Sequence, residues 1–280
     1  MATTLIRLQN GLKRVALHLV LLAGAIFSLF PFVWMVLTSL KSYIDASAAT
    51  SLLPKQWLFS NYVQAWNQVG IFPRYFGNTL FMAITTVLGV LMTSSLAGYA
   101  FARMRFPGRE ALFILLLSTM MVPFEVTLIP NFILMRQLGW MDHYEALIIP
   151  WTASAFSIFL LRQFFRAIPS ELFDAAVIDG CGHFQFLWTI VLPLSKPALI
   201  TSALFTFLGS WNSLMWPLLV TNNPQMRPLQ VGITSFITDA GTQVQFLLAA
   251  VTSSIIPVIL VYLFLQHWFV EGIARVGIRG

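Results

Sequence analysis

Six apolar stretches dominate this chain, at residues 15–40, 78–102, 111–130, 144–165, 197–220 and 246–270. Most are long enough to cross a hydrocarbon layer of ~30 Å as helices. Lipid offers no partner to an open backbone N–H or C=O, so each crossing must close its hydrogen bonds within itself. Composition agrees. Apolar residues make up 58% of the 280 and charged residues 9%, where soluble domains carry roughly 45–50% and about 25%. One soluble core cannot hide so much apolar surface. The expectation is an all-α membrane protein with six transmembrane helices, forming a single domain over residues 1–280.

The first stretch has to be told apart from a signal peptide. Arg7, Lys13 and Arg14 precede it, and Ala46-Ser47-Ala48 resembles a cleavage site. The apolar run from Val15 to Leu40 is much longer than the ~7–15 residues of a signal core. Ala46 also lies several residues past its end, so the stretch reads as an uncleaved span. The third stretch is interrupted in its outer part by Pro123, Glu125 and Pro130. That places its helix nearer 110–124, followed by a broken or re-entrant stretch to Met135. Such a break is tolerated only against protein or a water-filled cavity.

The net charge is +6. No basic stripe interleaved with aromatics appears, which argues against nucleic acid as a partner. The basic residues instead follow the rule that cytoplasmic helix ends are positive. With the N-terminus inside, eleven fall inside: Arg7, Lys13, Arg14, Arg103, Arg105, Arg109, Arg162, Arg166, Lys196, Arg275 and Arg279. Lys41, Lys55, Arg74, Arg136 and Arg227 fall outside. Both termini are therefore expected in the cytoplasm. Outside lie a long polar and aromatic loop at 41–77, a short one at 131–143, and one rich in Asn, Gln, Thr, Gly and Pro at 221–245.

Several kinds of chemistry are disfavoured. Cys181 is the one cysteine, so neither an internal disulfide nor a Cys-rich metal site is available. No H-E-x-x-H occurs, and His18, His143, His183 and His267 do not pair at ligand spacing. An ion-coupled carrier would place several ionisable residues along its spans; apart from Glu145 at the very edge of the fourth, Glu125 is the one acid in a predicted span. Lys13, Lys41, Lys55 and Lys196 all lack the flanking glycines of a phosphate loop. ATP would have to bind elsewhere.

The loop at 167–195, between the fourth and fifth spans, is the most informative segment. Pro169 ends the preceding helix. Ser170 is placed to cap a new one, and Glu171 and Asp174 fall in its first turn, where the helix dipole favours anions. Ala175 and Ala176 are strong helix formers with almost no side chain, and Gly180 can end the helix. A second helical stretch is expected from Phe184 to Val191, stopped by Pro193. Small residues let another surface approach closely, which suits a docking helix. They suit packing against the protein's own spans equally well.

The spacing of this loop resembles the permease subunits of ABC importers, which carry E-A-A-x3-G-x9-I-x-L-P. Here the chain reads Asp174-Ala175-Ala176, three residues, Gly180, nine residues, then Ile190-Val191-Leu192-Pro193. Asp for the first Glu keeps the charge and shortens the arm by one methylene. Weaker matches run in order along the chain: Phe30-Pro31-Phe32-Val33-Trp34, Asn61-Tyr62, Asn78-Thr79-Leu80, Ala100-Phe101-Ala102-Arg103, Phe106-Pro107-Gly108, Trp211-Asn212, Trp216-Pro217-Leu218, and Gln266, Phe269-Val270 and Gly272. Together they resemble the carbohydrate, maltose-transporter-like branch, which also holds glycerol-3-phosphate permeases.

The resemblance implies a type I ABC importer permease fold in the cell inner membrane. It implies a second permease chain, usually a different one, two ATPase subunits that carry ATP and Mg, and an extracytoplasmic substrate-binding protein. It places ATPase coupling on Glu171, Asp174, Ala175, Ala176, Gly180, Ile190, Leu192 and Pro193, with Ala175, Ala176 and Gly180 as a close-packed contact face. Asp179 and His183 are expected at the surface. Trp211, Asn212 and Ser213, with Trp216, offer the amide, hydroxyl and ring groups that suit a sugar, although Asn212 suits helix–helix hydrogen bonding as well and Trp216 suits an interfacial belt. Glu125 is a pathway candidate as an acid in a span. Asn222, Asn223 and Gln225 are candidates for contact with the binding protein. No Lys or Arg lies within a span core, which favours neutral sugars over glycerol-3-phosphate or another polyol derivative.

Overall fold

The computed structural model describes residues 2–48, 51–68, 70–238 and 241–277. Arg279 lies outside the described residues, as do the side chains of Arg7, His267, Phe269, Val270 and Arg275. Among the described residues, four helices are long and apolar enough to cross a membrane: Lys13–Ser39, Phe72–Arg103, Tyr144–Ala167 and Val244–Gln266. Two further pairs are bent, Arg109–Met121 with Phe124–Gln137 at 97°, and His183–Leu194 with Lys196–Trp211 at 82°. Counting each bent pair as one span gives six.

The described residues form two compact units, one from Met1–Gly70 and Ser235–Ile255, the other from Ile71–Thr234 and Ile256–Gly280. In the first, the segment after the N-terminal helix is folded rather than loose. Helices form at Tyr43–Ala48 and Ser60–Gln68. The Asn61 amide donates to the carbonyls of Ser39 and Lys41, both at 2.8 Å. The Asp45 carboxylate accepts from the Lys55 N–H at 3.1 Å and the Ser51 hydroxyl at 3.3 Å. The Asn61 bonds satisfy carbonyls that the end of the first helix leaves open. A long loop over 41–77 is thus corrected to two short helices, and the next span begins at Phe72. Pro73 suits a first helical turn, where no N–H is needed.

In the second unit the Phe72–Arg103 helix is the spine. It packs on Ala155–Ala167 through small residues, as membrane helices do when their backbones approach closely. A Cβ on Gly89 would come 2.7 Å from Thr152 Cγ2, and one on Gly98 would come 3.2 Å from Leu161 Cβ. Thr93 donates to the Thr152 carbonyl at 2.6 Å, and Ser202 and Ser157 share a buried hydroxyl bond at 2.8 Å.

Among the described residues, three spans are interrupted. The break in the third was legible from Pro123 and falls at Val122-Pro123, between the turn Thr119–Met121 and the helix Phe124–Gln137. The fourth and fifth read as continuous in sequence, and here the structure differs. The fourth comprises Tyr144–Ile148, a tight turn at Ile149–Trp151, and Ala155–Ala167. Pro150 has no N–H to extend the first helix, and the Ser154 hydroxyl caps the second by accepting from the Ser157 N–H at 3.2 Å. The fifth runs Lys196–Trp211, breaks at 212–214, and resumes at Met215–Val220.

Candidate functional site

The 167–195 segment folds as a helical hairpin whose inner face belongs to the chain's own core. Pro169, with φ −56° and ψ 140°, separates the helix ending at Ala167 from the next, Ser170–Ile178. Ser170 is the first residue of that helix and its side chain makes no capping bond, so the expected cap is corrected: the proline occupies the flanking position. The far end closes as a Schellman motif. Cys181 N–H donates to Ala176 O at 2.8 Å and Gly180 N–H to Val177 O at 3.0 Å, with Gly180 at φ +77°. The second arm runs His183–Phe186, then a wide π turn at Leu187–Val191, then Leu192–Leu194. The stop expected at Pro193 is corrected: the wide turn accommodates the ring and the arm ends at Ser195.

The expected contact residues part company. Ala176 is buried against Phe165, Phe186 and Val191, and Ile190 and Leu192 lie half-buried on the same cluster. Glu171, Asp174, Ala175, Asp179 and Pro193 are exposed. A Cβ at Gly180 would meet no atom of this chain within 4 Å, and the left-handed backbone there favours glycine. On the two arms, Ile178 is 87% exposed and Phe184 is 67% exposed. Both are large apolar side chains left uncovered on a hairpin whose other side is already packed.

Three ties hold the hairpin and the adjacent helix ends, and none had a signal at fixed spacing in the sequence. The His183 ring stacks on Phe173 at 5.0 Å between centroids, and its Nδ1 pairs with the Tyr99 hydroxyl at 2.8 Å. His183 is thus a surface residue, as expected, but a clamped one. Arg103 donates through Nε and Nη2 to Phe165 O at 3.1 and 2.8 Å, and also to Ile168 O. A cation on the last carbonyls of a helix is favourable. Arg162, 3% exposed, reaches both Glu110 carboxylate oxygens at 2.9 and 2.8 Å and lies 3.8 Å from the centre of the Phe113 ring.

A cavity of about 490 Å³ opens where the interrupted spans meet. Its wall takes Phe124 beside the third-span break, Trp151 and Ser154 from the fourth, and Ser213, Leu214 and Met215 from the fifth. Irregular backbone at membrane depth is tolerated when it lines a cavity. Trp216 is held by its indole N–H on Ala146 O at 2.8 Å. Trp151 packs between Trp216 and Phe124, at 6.0 and 5.5 Å. Of the expected pathway residues, Ser213 lines this cavity. Trp211 is buried between Phe76 and Phe207 at 5.6 and 5.3 Å. Asn212 is exposed, with its amide donating back to Leu208 O at 2.9 Å. Glu125 is exposed in the first turn of Phe124–Gln137.

The expected loop residues Asn222, Asn223 and Gln225 are exposed, on a firmly moored backbone. Asp142 accepts the N–H groups of Asn222 and Asn223, both at 2.6 Å. The Asn78 amide donates to Gln225 O at 2.8 Å and Arg227 O at 3.0 Å, and Asn78 Oδ1 accepts from the Tyr144 hydroxyl at 2.7 Å.

The family described as binding-protein-dependent transport system inner membrane component matches over residues 86–275. The arabinooligosaccharides transport system permease protein AraQ of Bacillus subtilis is 34% identical, across 97% of this chain and 98% of its own. The sn-glycerol-3-phosphate transport system permease protein UgpE of Yersinia pestis is 38% identical, across 91% of this chain and 94% of its own. A chain of a bacterial ABC transporter involved in import of the acidic polysaccharide alginate superposes with a TM-score of 0.82 at 28% identity, covering 91% of this chain and 95% of that one.

Proposed function

Because the chain belongs to the family of inner membrane components of binding-protein-dependent transport systems, we propose that it is a permease subunit of an ATP-driven importer for disaccharides or oligosaccharides. It is a multi-pass inner membrane protein and a transport subunit, not an enzyme. In this reading residues 1–280 form one permease domain with six spans and both termini in the cytoplasm, which the excess of basic residues on that side supports. The chain lines half of the pathway, and a second, different permease lines the rest. Two ATPase subunits bind ATP and Mg and dock on the 171–193 hairpin. An extracytoplasmic binding protein delivers the sugar, contacting the loop that carries Asn222, Asn223 and Gln225.

The hairpin carries this reading. Its inner face is built into the chain's core through Ala176 and Phe186. Its outer face shows Glu171, Asp174, Ala175 and the large apolar side chains of Ile178 and Phe184. An exposed apolar patch of this kind marks an interaction site. Motion of an ATPase seated there passes to the ends of the Phe72–Arg103 and Ala155–Ala167 helices through Tyr99, Arg103 and Phe165, as a rigid-body switch.

A second reading, import of glycerol-3-phosphate, draws on the likeness to UgpE. The neutral lining of the cavity speaks for sugars. In proteoliposomes holding both permeases, the ATPase and the binding protein, arabinotriose uptake is expected to require ATP and binding protein and to survive ionophores. Uptake by this chain alone, driven by a proton or sodium gradient, would sink the importer reading.

A further inference from the structure

Several hydroxyls on the cavity wall are left without a partner by the chain itself. A buried hydroxyl in a helix commonly satisfies itself on its own backbone. Buried Thr79 does so on Tyr75 O at 3.0 Å, and the half-buried Thr201 and Thr252 do so on Pro197 O at 2.8 Å and Leu248 O at 2.6 Å. On the cavity wall, Thr86 is 2% exposed and its hydroxyl has no partner among the described residues. The hydroxyls of Thr206, Ser210 and Ser213, on the same wall, likewise make no side-chain bond among the described residues. Thr206 and Ser210 are one helical turn apart on Lys196–Trp211, and Ser213 follows just past its end. An i, i+4 pair shares a helix face, so the helix presents hydroxyls to the space left by the breaks.

We propose that this cavity is a subsite, within this chain, for one neutral polyhydroxylated ring of the transported molecule. The proposal rests on the importer reading above and adds the ligand chemistry. A hydroxyl both donates and accepts, which matches a sugar whose own hydroxyls do both and whose orientation changes as it passes. Trp151 and Phe124 supply the apolar surface on which the C–H face of a ring packs. The volume falls within the ~300–1,000 Å³ usual for small-molecule sites. No Asp, Glu, Lys, Arg or His lines the wall among the described residues. A phosphate or carboxylate there would be a buried charge without a partner, which is strongly unfavourable.

The test uses the assembled importer in proteoliposomes with its binding protein, and arabinotriose, maltotriose and sn-glycerol-3-phosphate as probes. Ser210→Cys in a Cys181→Ser background puts the single thiol of this chain on the cavity wall. A neutral trisaccharide is expected to slow alkylation of that thiol several-fold during turnover. Thr206→Val combined with Ser210→Ala is expected to cut its uptake about tenfold, on the scale of two lost hydrogen bonds, while ATP hydrolysis stimulated by the binding protein persists. Full uptake in the double variant together with an unprotected thiol would overturn the subsite. Protection by sn-glycerol-3-phosphate but by neither trisaccharide would overturn its neutral character. Both of those outcomes leave ATP-driven import standing; loss of ATP dependence in the unaltered complex is what removes that reading.

Discussion

At Gly180 the backbone sits at φ +77° with open space around it. An L-residue in this left-handed conformation costs roughly 1–2 kcal/mol, whereas Gly182, at φ −78°, accepts a side chain freely. Gly180→Ala is therefore expected to weaken co-purification of the ATPase with the permeases severalfold, and Gly182→Ala to leave it unchanged. Equal behaviour of the two variants would refute a conformational role for Gly180. The position was legible in sequence as a helix-ending glycine; its reason was not, because the spacing motif fits close packing and backbone geometry equally. Ala175 and Ala176 make the same point. They are neighbours with the same side chain, yet one is exposed and the other buried, and only the hairpin's docking on Phe165 and Phe186 decides which.

Between elements, the ties are long in sequence and short in space. Arg162 joins Glu110 across 52 positions and Arg103 joins Phe165 across 62. Read from charge alone, Arg103 and Arg162 were simply inner-face charges, since nothing local distinguishes a buried arginine from a free one. The Arg162–Glu110 pair is asymmetric: the side-chain exposures are 4% and 57%. Removing the acid strands a buried cation, while removing the base leaves an acid that water and Arg109 still serve. Glu110→Ala is expected to lower the melting temperature of the detergent-purified complex more than Arg162→Met does. The reverse order, in a thermal unfolding series on assembled complexes, would contradict this account. The broken spans belong at this scale too. Pro123 announced one break, but those near 152–154 and 212–214 sit in apolar runs whose mean hydropathy hides them.

For the whole molecule, the expected arrangement places both termini in the cytoplasm and the loops at 41–77 and 221–245 outside. Single cysteines introduced at Ser60 and Gln225 in a Cys181→Ser chain are expected to react with a membrane-impermeant maleimide in intact spheroplasts. A cysteine replacing Glu171 is expected to react only after permeabilisation, and labelling of Glu171→Cys in intact cells would invert the topology. What the sequence by itself determined is the solvent of the fold, the number of apolar stretches and the identity of the 171–193 hairpin. Those follow from composition, run length and spacing, all of which are local or periodic along the chain. The tertiary structure decided which face of the hairpin is free, which arginines are tied, and which hydroxyls are left without partners around the cavity. Each of these depends on segments dozens of residues apart meeting in space, and such meetings leave no periodic trace in the sequence.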